Sequence, residues 1–112
     1  MSDRDEWGRD PSVQAMRKIF QGMEKSLNEI LARLGISSYD LRIRGWLETA
    51  LTKFERAWGV ANQMGIIMDE KKAPLVYAHC IAKVIGSEGI EIPEDILPEE
   101  KETGRLINEV FK

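Results

Sequence analysis

The sequence predicts an all-α, four-helix bundle-like fold, and three observations carry that reading. Apolar residues between Val13 and Leu34 recur at alternating steps of three and four. A second series does the same between Ile43 and Met64. The segment "PLVYAHCIAKVI", residues 74–85, is apolar nearly all round a helical wheel, as a central helix should be.

The first helix is expected over about 11–34. Asp10 followed by Pro11 is an N-cap followed by a proline whose missing N–H costs nothing in the first turn. Val13, Met16, Phe20, Met23, Leu27, Ile30 and Leu34 then hold a seven-residue repeat for three heptads, with Ile19 and Leu31 beside them. Gly35 suits a left-handed C-cap, and Ile36 supplies the apolar contact that usually follows it.

The second helix is expected over about 38–64, opened by Ser37 and Asp40 as a variant capping box. Ile43, Leu47, Ala50, Phe54, Ala57, Ala61 and Met64 form its seam. A short connection and matching heptads predict a long antiparallel hairpin with knobs-into-holes contacts. The apolar face of the second helix spans roughly 140°, wide enough to meet the first helix on one side and the third on the other. Trp46 and Trp58 lie about 18 Å apart along its axis, which makes them anchors in separate core layers.

After the polar break "MDEKKAP", the third helix is expected over about 74–85. "IEIPEDILP" reads as an extended connection, and a last helix over about 99–111 puts Leu106, Ile107, Val110 and Phe111 on one face. Residues 1–10 form a polar tail and 11–112 a single helical domain. Trp7, isolated in that tail, is a candidate docking residue.

The chain has 112 residues and a net charge of −3, unevenly spread. Residues 11–83 hold eleven basic and seven acidic side chains, whereas 84–112 hold three and eight. The acidic segment is either simply solvated or folded back on the basic middle. A single cysteine, Cys80, rules out an internal disulfide and fits a reducing, cytoplasmic setting. "AWGVANQMGIIM", the longest weakly polar run, is far short of the roughly 20 apolar residues a membrane helix needs, so no membrane partner is expected.

Chemistry-bearing patterns are few. His79 and Cys80 are adjacent and so point about 100° apart on a helix, and no second histidine or cysteine completes a metal set. Glu48 and Glu55 share a face but lack the Glu-x-x-His spacing of di-iron bundles. Phosphate loops and nucleophile elbows are absent. No catalysis, metal or cofactor is expected.

The second helix carries one unusual stripe. Gly45, Thr49, Thr52, Arg56, Gly59 and Gln63 step by four and three along the side opposite the apolar face. Interior glycine costs a helix about 0.5–1 kcal/mol relative to alanine, so two of them ask for a reason. One reason is close approach of another backbone across an oligomer interface, formed by Gly45, Thr49, Thr52, Arg56 and Gly59. A second is access for a phosphate backbone to Arg42, Arg44, Lys53 and Arg56. The third is tolerance of weak helix formers where packing already holds the helix.

These observations point to a non-enzymatic helical protein-interaction module. It is expected to be a homo-oligomeric accessory or scaffold subunit, partnered by itself or by another protein. The stripe of Met16, Phe20 and Met23 can also seat a helix from a second copy. The alternative is a nucleic-acid-binding accessory protein using Arg42, Arg44, Lys53 and Arg56. A ligand held in the bundle core is a third possibility.

Overall fold

The structure, a computed structural model, describes residues 11–112. It contains α1 (Pro11–Arg33), α2 (Ile43–Met64), α3 (Lys72–Ser87) and α4 (Lys101–Val110). The fold is all-α and bundle-like, and no strand occurs among the described residues. The expected caps at Asp10 and the expected docking residue Trp7 lie outside the described residues.

Each boundary has a local cause. Gly35 takes a left-handed φ of 69° and lets the Ile36 amide reach back to the Leu31 carbonyl, which closes α1 as the sequence predicts. Gly65 repeats the device at the end of α2, with φ 73° and an Ile66 amide bonded to the Ala61 carbonyl. The start of α2 differs from expectation. Residues 37–42 form turns, because the Asp40 carboxylate accepts from the Arg42 amide at 2.9 Å and the Asp40 carbonyl from the Ile43 amide at 3.2 Å. Helix therefore begins at Ile43 after Arg42, whose amide Asp40 holds; the Ser37 hydroxyl accepts only the Tyr39 amide. Asp69 opens α3 in the same way, accepting the amides of Lys71 and Lys72.

The packing departs from a hairpin in one respect. α1 and α2 are joined by the short connection 34–42, but among the described residues no Cα of one helix comes within 8 Å of the other. Both pack on α3, and α4 packs on α2 and α3. The reason is the side-chain supply of α3. Ala73, Val76, Tyr77, Ala78, Cys80, Ile81, Val84 and Ile85 are all buried, so α3 offers apolar surface in every direction and takes the centre. The wide face of α2 does meet two neighbours, but they are α3 and α4 rather than α1 and α3.

α1 meets α3 at a defined point. Gly22, in the middle of α1, lies against Pro74 in the first turn of α3, and Arg33 at the end of α1 donates to the Ile96 carbonyl beyond the end of α3. Lys18 pairs with Glu70 in the connection before α3. The first half of α1 thus runs past the start of α3, beside Glu70. Ile19, Met23, Ile30 and Leu31 are buried there and beyond, whereas Met16 and Phe20 are left 41% and 58% exposed.

Candidate interaction surfaces

The predicted small-residue stripe is displayed to solvent along its whole length. Gly45, Thr49, Thr52, Arg56, Gly59 and Gln63 are all exposed, on the side of α2 opposite Ala50, Phe54, Ala57 and Ala61. A Cβ added at Gly45 or Gly59 would meet nothing within 4 Å, so neither glycine makes room for a neighbour within the chain. The two hydroxyls are satisfied locally: Thr49 donates to the Gly45 carbonyl at 3.1 Å and Thr52 to the Glu48 carbonyl at 3.0 Å. Arg56 has no carboxylate within salt-bridge reach among the described residues.

The four basic residues of the nucleic-acid alternative do not converge. Arg42 grips Asp40 through two bonds, at 2.8 and 3.1 Å, and its guanidinium lies 5.0 Å over the Trp46 ring. The Arg42 bonds hold the Asp40 carboxyl down at about 2, and the same pairing raises the Arg42 pKa further. Lys53 turns the other way: its ammonium donates to the Val110 carbonyl at 3.1 Å and sits 5.2 Å over the Phe111 ring, closing the C-terminal end of α4. Arg44 stands on the opposite side of α2 from Lys53, 4.0 Å from Glu48. Three of the four cations thus have partners in their own chain, and only Arg56 has no carboxylate in reach among the described residues.

A polar cluster that the sequence does not announce joins α3 to α4. Lys72 Nζ lies 2.5 Å from Glu100 Oε1 and 2.6 Å from Glu102 Oε1. Glu100 is the N-cap of α4, accepting the amides of Glu102 and Thr103 at 3.2 and 3.1 Å and the hydroxyl of buried Thr103. Burial alone would raise the Glu100 pKa, but the bonds from Lys72 and Thr103 hold it at about 2. For Lys72, burial works against the charge and the two carboxylates prevail, raising its pKa. The signal was present as Lys72 and a Glu100-x-x-Thr103 cap, but their sequence separation of 28 hides the pairing. Lys72, Arg33 and Lys53 together hold the acidic segment 84–112 against the basic middle of the chain.

His79 and Cys80 separate as their spacing predicts. His79 is half-buried, with Nε2 3.0 Å from the Pro98 carbonyl, whereas Cys80 is fully buried. Desolvation pushes the Cys80 thiol up to about 12, against a small opposing pull from Lys53, so it is held as the neutral thiol. Glu48 and Glu55 are both exposed on the outer side of α2. Among the described residues no group of three or more His, Cys, Asp or Glu is arranged to hold a metal. An open cleft of about 970 Å³ runs between the end of α3, residues 90–99 and Phe111. No described helix is long and apolar enough to cross a membrane.

The most exposed large apolar side chains are Leu41, Tyr39 and Ile67, in the connections before and after α2; within the helices the most exposed is Phe20, on α1. Val13 and Leu27 are half-buried and Phe20 is mostly exposed, and these three residues lie seven apart on one face, with Met16 beside them. The α1 stripe is therefore only partly used by its own core: Ile19, Met23 and Ile30 are buried and half-buried Leu27 packs against the core, while Phe20 turns to solvent with half-buried Val13 one heptad before it. Compared with known proteins, the chain matches no family model, no curated protein and no solved structure.

Proposed function

We propose that this protein is a non-enzymatic helical interaction module that works as a homo-oligomeric accessory or scaffold subunit. The observation that carries the reading is the exposure of Met16 and Phe20, at 41% and 58%, on a helix whose seven-residue repeat continues through them. Large apolar side chains repeating along one helix face favour a helix-on-helix partner. The side chains with perturbed ionisation support the same reading. Glu100, Lys72, Asp40 and Arg42 are engaged in caps and ion pairs that hold the fold, and Cys80 is sealed in the core. The engagement of Arg42 and Lys53 with Asp40 and Val110 favours a protein partner over nucleic acid. Light scattering after size exclusion, over a range of concentrations, tests the proposal. The expected mass is at least twice that of the 12.8 kDa chain, and a strict monomer at high concentration would remove the homo-oligomer.

A further inference from the structure

We infer that two copies of this chain pair through the first half of α1, antiparallel across a two-fold axis at Phe20; this deepens the homo-oligomer reading and rests on it. The outward face of α1 centres on exposed Phe20, with the accessible parts of half-buried Val13 and of Leu27, whose other side packs against the core, one heptad to either side; that spacing drifts only about 20° per repeat and stays in line over their span. Antiparallel pairing about Phe20 sets Phe20 against its own copy and Val13 against Leu27 of the second chain, on both sides of the axis. Those two outer contacts and the central one bury the apolar surface that Phe20 and its heptad neighbours expose. The first half of α1 is accessible for this because it runs past the start of α3, and neither α2 nor α4 packs on it.

The charges on that face select a second copy over an unrelated helix. Arg17 and Glu24 are exposed and also lie seven apart, on one flank of the Phe20 face. Among the described residues neither has an ion-pair partner, whereas their neighbours Lys18 and Lys25 pair with Glu70 and Glu29. In an antiparallel pair, positions on the same flank face each other. A two-fold through Phe20 therefore brings Arg17 of each chain beside Glu24 of the other, making two equivalent ion pairs. A parallel pair would instead carry the two Arg17–Glu24 flanks to opposite sides of the interface, where they cannot meet. The self-complementary pattern is what an isologous interface requires.

Sedimentation velocity on the full chain tests this directly. The wild type is expected to be a dimer, and Phe20→Asp a monomer of unchanged helical content, since Phe20 lies outside the core. Arg17→Glu and Glu24→Arg should each raise the dimer dissociation constant by about tenfold or more, because each change turns two attractions into two repulsions. Mixing those two variants in equal amounts should restore the dimer, because the heterodimer regains both pairs. A Phe20→Asp protein that stays dimeric overturns the α1 pairing while leaving the homo-oligomer intact. A mixture no tighter than its components overturns the antiparallel register. A wild type that is strictly monomeric overturns both.

Discussion

Gly22 of α1 and Pro74 of α3 touch so closely that no side chain fits between them. A Cβ at Gly22 would lie 2.7 Å from Pro74 Cγ and 3.3 Å from Pro74 Cβ. Both contacts are with a rigid ring that is itself buried. This is where α1 crosses the start of α3, and it sets the depth at which Ile19, Met23 and Ile30 enter the core.

Gly22→Ala should therefore destabilise the protein, although alanine is the better helix former by about 1 kcal/mol. Overpacking against a ring that cannot move aside outweighs that gain, for a net loss of about 1–2 kcal/mol. Urea unfolding of the purified variant measures it; a stability equal to or above wild type would show that the helices separate freely.

Gly59→Ala should do the reverse. Nothing lies within 4 Å of the Cβ that this change adds, so the helix propensity gain of about 0.5–1 kcal/mol is uncompensated. The same substitution reads the stripe: if Gly45 and Gly59 admit a second backbone, Gly59→Ala should weaken self-association, whereas pairing through α1 leaves it unchanged. Thermal melting and sedimentation of one sample separate the two effects.

The Lys72–Glu100 cluster gives a pH dependence with a definite sign. Glu100 has its pKa lowered from 4.5 to about 2 in the folded chain. A depressed carboxyl contributes stability above its unfolded pKa and loses it as pH falls through the folded one. Glu100→Gln should therefore be less stable than wild type at pH 7, by about 1 kcal/mol as for a weakened N-cap. The difference should close between about pH 4.5 and 2. Urea midpoints at several pH values check it, and a gap constant down to pH 2 would remove the charge from the explanation.

Cys80 should resist modification. With its pKa moved from 9.0 to about 12, the folded chain at pH 8 holds about a thousandfold less thiolate than a free thiol. A chromogenic disulfide reagent should react with the native protein only as fast as it unfolds, and within seconds in denaturant. Rapid reaction of the native chain would mean that the α3 core opens locally.

Lys53→Met should lower stability by about 1 kcal/mol and speed hydrogen exchange at the end of α4. The change removes the donor to the Val110 carbonyl while keeping the apolar stem. If the amide of Phe111, bonded to the Ile107 carbonyl, exchanges no faster, the lysine does not hold this end of α4.

What the sequence by itself determined is local. Heptad spacing located α1 and α2, the left-handed glycine at Gly35 ended α1, and the nearly all-apolar segment from Pro74 to Ile85 identified the buried helix. These depend on residues within a turn or two of each other. α2 starts five residues later than a cap at Ser37 predicts, because Asp40 bonds the amide two residues ahead. The arrangement of the helices was decided only in three dimensions. Two heptad-bearing helices joined by a short connection suit each other, but α3 offers apolar surface on every side and each of them gains more by packing on it. That choice leaves part of the α1 stripe, around Phe20, facing outward. The close-contact glycine also moved. Gly45 and Gly59 lie on an open face, whereas Gly22, flanking Ile19 and Met23 with Ser26 one turn on, is the one that Pro74 requires. Period and composition tell which face of a helix is apolar; only competition among several such faces decides which of them is covered.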